Sequence, residues 1–482
     1  MKKLFTLMAA AVMAMAVNAT DYTDDLAITL NGVATAPASA KITVNSVEGS
    51  DGLYDIVLNQ FTFANVFLIG DVTIEDVKGN STDGGDGCTY FEPITKEAAI
   101  TNAGNSFIAP QLGYKVTVTI KEGSKMNDND LYLLIELPVD YGDNHFDVSA
   151  IFGTGGYQIK NSGFENFHTA TYTDGGTDYT SQEPNAWHSF NSGVATGSFS
   201  FLTKLALHHG STSISEDVRE SYSTTTPSGT LGTKCVKLTS AIVSGVPANG
   251  TMTTGRLQAG SFTPTDVANC SFLDMTSTDV DGNGDPFYTT LTSKPDAITV
   301  WVKFKQGEDL GDYKYATVSA VITDGTRYQD PEDQTYTNVV AKAQNAQIES
   351  KDFAWQQLTI PFDYASYASN NVEPKAILIT ISTNAHPGSA SSDDSNPDEL
   401  YVDDIALVYN AGLESLTVKG SEVTLEDGTT SYTVSGLSGE LTLDDIVAVS
   451  DGQGAYVTKA IETTDDGATV TITVTSNDYQ TV

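Results

Sequence analysis

Apolar and polar residues alternate along most of this chain. In "AITVWVKFK", residues 297–305, Ile298, Val300, Val302 and Phe304 share one parity, and Thr299, Trp301 and Lys303 share the other. "KITVNSV", "DIVLNQFTF", "YKVTVTI", "ATVSAVI" and "ATVTITVTS" repeat the pattern, rich in β-branched and aromatic residues. A period of two belongs to a strand with one buried face, and helical periodicity is nearly absent. The pattern predicts an all-β protein built of sandwiches or barrels.

Composition shifts at "FGTGGYQIKNSGFENF" and again at "YNAGLESLTVKG", which divides the chain into residues 20–155, 156–410 and 411–482. The first segment holds roughly eight candidate strands, enough for a small closed antiparallel barrel. The third reads as five short strands, "LESLTVKG", "EVTLEDG", "SYTVSG", "AYVTKAIET" and "GATVTITVTS", and predicts a small immunoglobulin-like β-sandwich module. Residues 1–19, "MKKLFTLMAAAVMAMAVNA", have a basic start, an apolar run and a small-residue cleavage site. They predict a signal peptide and a secreted protein of the periplasm or cell surface.

The chain has 482 residues, 40% hydrophobic and 18% charged, which is enough apolar material for packed cores. Its 24 Lys and Arg against 62 Asp and Glu leave a net charge of -38. Such a surface repels nucleic acid and anionic lipid and suits a neutral ligand or a cation. No apolar run after the leader reaches the ~18 residues of a membrane-spanning helix. The three cysteines, Cys88, Cys235 and Cys270, are too few for a disulfide framework. Cys235 and Cys270 either pair across neighbouring strands or stay as buried thiols.

"GLYDIVLNQFTF" and "IGDVTIEDV" in the first segment resemble the calycin-like β-barrel domains of secreted Gram-negative proteins. That resemblance implies a barrel whose mouth holds a small apolar ligand or is filled by side chains. The middle segment opens with "GFE" and closes with "LYVDDIALVY", by way of "WHSFNSG" and "FAWQQLTIPFDY". In this order it resembles the "putative carbohydrate metabolism domain" family and, more widely, jelly-roll carbohydrate-binding modules. The resemblance implies a glycan or polysaccharide partner. It also implies a structural calcium between the opening acid and the closing-strand aspartate, here Glu165 and Asp403. Calcium takes oxygen ligands, and joining the chain ends restricts the unfolded state.

Parity supplies the candidate sugar contacts. Trp301 and Trp355 with Gln357 sit among polar neighbours, and Tyr315 shares a face with Thr317 and Ser319. An indole face takes sugar C–H groups while amides and hydroxyls bond the sugar hydroxyls. Trp187 in "AWHSF" reads as core. "DVDGNGDPF", residues 279–287, opens like an EF-hand loop, but its twelfth position is Thr290 in place of a bidentate Glu. It reads as a tight turn, with a weak calcium site as the alternative. No nucleophile elbow, zincin motif or Walker loop is present, and no catalytic residue is assigned. The six His residues are scattered, and the adjacent His208 and His209 would face opposite sides of a strand. Three functions follow: a non-catalytic glycan-binding protein, a glycoside-active enzyme with two carboxylates across a cleft, or a structural surface protein.

Overall fold

The computed structural model describes residues 19–482 except 35–36, 64–66, 82–87, 143, 175–176, 202–210, 220–231, 244, 427 and 465–466. Residues 1–18 of the expected signal peptide and the pair His208–His209 therefore lie outside the described residues. The protein is nearly all β. It forms two compact units, the first up to Gly155, the second made of Gly156–Arg219 and Thr233–Val482.

In the first unit, eight antiparallel strands close into a ring. Ala19–Leu30 pairs Ala38–Ser46, which pairs Leu53–Phe63, then Phe67–Ser81 and Ile94–Thr101. The ring continues through Lys115–Ile120, Leu131–Tyr141 and Asn144–Phe152, which returns to Ala19–Leu30. Closure leaves no main strand at an edge. Alternate residues point inward: Ile42 and Val44, Ile56 and Leu58, Val72 and Ile74, Val116, Val118 and Ile120 are all buried in one apolar cluster. A cavity of about 220 Å³ opens against Leu26, Ile28, Ile42, Leu58 and Phe61.

The second unit is built on two five-stranded antiparallel sheets. One runs Thr212–Ser215, Cys235–Thr239, Glu399–Val408, Ala297–Lys305 and Gln356–Pro361. The other runs Thr251–Thr253, Ala376–Ser382, Ala316–Thr323 and Val339–Ile348, with Thr289–Thr290 beside Ala376–Ser382. Each buries a β-branched face: Ile298, Val300, Val302 and Phe304 in the first, Val318, Ala320, Ile322, Ile377, Ile379 and Ile381 in the second. A four-stranded sheet, Val194–Ala195, Arg256–Ala259, Cys270–Leu273 and Tyr328–Asp330, adds a further layer. Its Leu273 and Tyr328 pack with Val321, Val339, Ala376 and Leu378 from the opposite face of the second sheet. The chain passes between these layers at Gly255, where a Cβ would stand 2.2 Å from the Phe272 carbonyl oxygen. Only a glycine allows so close an approach.

The last seventy residues of this unit carry five strands with their own small cluster around Leu416, Val418 and Ile446. One expected strand is absent and another takes its place. "SYTVSG" is irregular, because the Tyr432 hydroxyl bonds the carbonyls of Glu426 and Thr429 and holds the segment as a loop. Ile446–Ser450 pairs Leu413–Val418 instead.

Cys88, Cys235 and Cys270 are buried free thiols. Cys235 and Cys270 lie in different sheets and are not bonded to each other. Among the described residues no helix is long and apolar enough to cross a membrane.

Candidate functional site

Hydrophobic alternation in the second five-stranded sheet leaves one half of a face to hydroxyls. Register sets them in rows across the strands: Thr251 opposite Ser382 opposite Thr317, and Gln344 opposite Ser319 opposite Thr380. These six side chains line a cleft of about 400 Å³, a size typical of small-ligand sites of about 300–1,000 Å³. Its walls are apolar and come from loops and from the four-stranded layer. Phe190, Phe199, Leu257, Phe262 and Pro264 all line it. Phe199 and Phe262 stand with ring centroids 4.3 Å apart, and Phe262 is 45% exposed.

The floor is only partly satisfied by the protein itself. Ser271 and Thr380 share a 2.5 Å hydrogen bond, Thr251 and Ser382 one of 3.2 Å, and the Asn249 amide donates to Ser382 at 3.0 Å. The Thr317 hydroxyl is buried with no hydrogen-bond partner in the protein. Among the described residues one carboxyl, that of Asp330, lines the cleft. Burial raises its pKa, against a lowering hydrogen bond from Ser319. The arrangement offers hydroxyl and amide groups below and ring faces at the side. A polar ligand with apolar C–H faces needs that combination.

The residues singled out from the sequence lie elsewhere. Trp301 is half-buried on the outer side of the first sheet, and Gln357 pairs with it in register. The Arg219 guanidinium covers the Trp301 ring, 4.2 Å from its centroid, and is itself paired with Asp404. Trp355 precedes the same edge strand, with its indole N–H buried and unbonded. Tyr315 precedes a strand of the other sheet, with the Lys314 ammonium 5.3 Å from its ring. Trp301 and Gln357 are thus together, and Tyr315 is on a different sheet. Trp187 is fully buried and donates to the Lys160 carbonyl at 3.1 Å.

Glu165 and Asp403 lie close enough for the Glu165 charge to act on Asp403. Glu165 already accepts the backbone amides of Thr233 and Lys234 at 2.9 Å each. Burial, with Asp404 and Glu165 nearby, pushes Asp403 up to about 8. Among the described residues no third His, Cys, Asp or Glu is grouped with these two for a metal ion. The loop at Asp279–Asp285 is a tight turn: Asp281 accepts the amides of Asn283 and Asp285, each at 2.8 Å.

That turn also brings together what the sequence keeps apart. The second carboxylate oxygen of Asp281 meets His168 and Glu183, and these three form a compact set of donor atoms. His188 reaches the same oxygen. Burial lowers the pKa of His188, while Glu183 raises that of His168. Only the hairpin of Phe167–Asp174 with Thr177–Pro184 makes His168 and Glu183 neighbours, so spacing gave no signal for the set. The floor rows did leave a trace, in the alternating hydroxyls of "TVS", "TIS" and "TMT".

Comparison with known proteins gives two family matches. Residues 19–154 match the "Calycin-like beta-barrel domain", and residues 163–408 match the "Putative carbohydrate metabolism domain". No curated protein matches. One similar solved structure is described as "The structure of the M60 catalytic domain with the CBM51-1 and CBM51-2 domains from Clostridium perfringens ZmpB". It is 10% identical, with 95% of this chain and 39% of that chain covered and a TM-score of 0.15, too low to carry an argument.

Proposed function

This chain belongs to the "putative carbohydrate metabolism domain" family, and from that premise we propose that its second unit binds a short stretch of glycan in the hydroxyl-floored cleft without cleaving it. The observation that carries the reading is the pairing of the Thr251–Ser382–Thr317 and Gln344–Ser319–Thr380 rows with the Phe199–Phe262 wall. Sugar hydroxyls exchange water for the floor, and C–H faces lie against the rings. Hydrolysis of a glycosidic bond ordinarily uses two carboxyl groups about 5–9 Å apart. Among the described residues Asp330 is the one carboxyl lining this cleft, which supports binding over hydrolysis. The reading includes secretion, supported by the leader-like residues 1–19, so the mature chain should begin near Thr20.

A glycan array on the full protein, followed by calorimetry with the best ligand, tests the reading. Phe262→Ala is expected to weaken binding by about tenfold, the loss of one aromatic contact. Trp301→Ala, whose ring Arg219 covers, is expected to leave affinity within about twofold. Equal loss in both variants, or loss in Trp301→Ala alone, would move the site to the other sheet. Reducing sugar released from the ligand by wild type but not by Asp330→Asn would favour the enzyme instead.

A further inference from the structure

We propose that His168, Glu183 and Asp281, with His188 beside them, form a binding site for a divalent transition-metal ion, zinc(II) foremost. The inference is independent of the glycan reading.

Spacing is the first ground. His168 Nε2 lies 3.6 Å from Glu183 Oε2 and 3.6 Å from Asp281 Oδ2, and His188 Nε2 lies 3.6 Å from the same Asp281 oxygen. The donor atoms of His168, Glu183 and Asp281 all fall within 4.8 Å of one another. A charge-assisted hydrogen bond between imidazolium and carboxylate would close to about 2.7–2.9 Å. Two ligands of a tetrahedral ion, each about 2.0–2.2 Å from the metal, stand about 3.3–3.6 Å apart. The three separations of 3.6 Å match ligands facing each other across an ion and exceed the length of a direct hydrogen bond.

Orientation is the second. Each of the three donors has its other polar atom fixed by the protein. His168 Nδ1 is 3.1 Å from Asn185 Oδ1, so the N–H belongs on Nδ1 and the lone pair of Nε2 faces inward. Glu183 Oε1 accepts the Ser189 amide, the Ser189 hydroxyl at 2.7 Å and the Ser192 hydroxyl at 3.0 Å, which leaves Oε2 for the centre. Asp281 Oδ1 takes the two amides of its own turn, which leaves Oδ2. Anchoring of this kind is what orients metal ligands.

The third ground is independent of both. Asp281 Oδ2 and His188 Nε2 are buried and have no hydrogen-bond partner in the protein. The side chains of Asp281 and His188 are fully buried, that of Glu183 is 1% exposed, and that of His168 13%. Unpaired buried groups of this kind are costly, and a cation among them removes the cost. Mixed imidazole and carboxylate donors suit zinc, manganese or iron, whereas calcium takes oxygens only. The ion would tie the Phe167–Pro184 hairpin to the Asp279–Asp285 turn, about a hundred residues further along the chain.

The test uses the full-length protein stripped with a chelator and dialysed. Zinc chloride is expected to bind at one ion per chain and raise the melting temperature by several degrees, with calcium chloride giving no such shift. Cobalt(II) chloride is expected to give visible d–d absorption of low-symmetry, four- or five-coordinate type. Asp281→Asn and His168→Gln should each weaken zinc binding at least about a hundredfold, with folding checked by circular dichroism. No retained zinc and no cobalt spectrum in wild type would overturn the proposal. So would unchanged zinc affinity in either folded variant. If a variant does not fold, the wild-type stoichiometry and cobalt spectrum decide.

Discussion

The barrel and the sandwich use the same alternation to different ends. In the barrel, polar residues such as Thr43, Asn59 and Thr119 point outward, where the Asn59 amide donates to the Thr43 hydroxyl and Thr119 shares a hydrogen bond with Thr95. In the second unit, the polar parity of Ala316–Thr323 and Ala376–Ser382 faces a further layer of protein and becomes the floor of a cleft. A row of hydroxyls is therefore ordinary on a sheet that faces solvent and informative on a sheet that is covered.

The largest effect that sharpens this contrast is in the barrel. Ile74 is fully buried in its cluster, and Ile74→Ala should cost about 2–5 kcal/mol in a denaturant titration of the first unit. Ser319→Ala, in the cleft floor, should cost under about 1 kcal/mol while lowering glycan affinity. A comparable stability loss in both would make the floor ordinary core.

A smaller effect depends on pH. Burial raises the pKa of Asp330 above its unfolded value of about 3.9. The native state thus holds a proton that the unfolded state gives up more readily. This contribution to stability is full below about pH 4 and is lost as pH rises through the native pKa. Melting temperatures of Asp330→Asn from pH 4 towards neutrality should therefore fall less than those of wild type. An equal or steeper fall would contradict the assignment.

The smallest effect has the most telling sign. Thr317→Val removes a buried hydroxyl that has no partner. It should raise stability by about 1 kcal/mol or leave it unchanged, while weakening glycan binding. Loss of stability without loss of binding would mean that the hydroxyl serves the fold.

Much of the fold was legible because strand parity is local. Ile298, Val300, Val302 and Phe304 are buried as their alternation requires, and the eight barrel strands follow the apolar runs. The "SYTVSG" segment misled because its tyrosine bonds carbonyls in its own loop, which the alternation does not register. The site was less legible because it is made by pairing. Trp301 faces away from the apolar core as its parity requires, but parity does not reveal that Arg219 stacks on it. His168, Glu183 and Asp281 meet only through a hairpin and a distant turn, and neither connection is written in residue spacing.

Hydrogen–deuterium exchange of the full-length protein, with and without its best glycan ligand, tests the cleft most directly. Added protection is expected in Ala316–Thr323, in Ala376–Ser382 and around Phe262, with Ala297–Lys305 unchanged. Protection confined to Ala297–Lys305 and Gln356–Pro361 would contradict the account and return the site to Trp301.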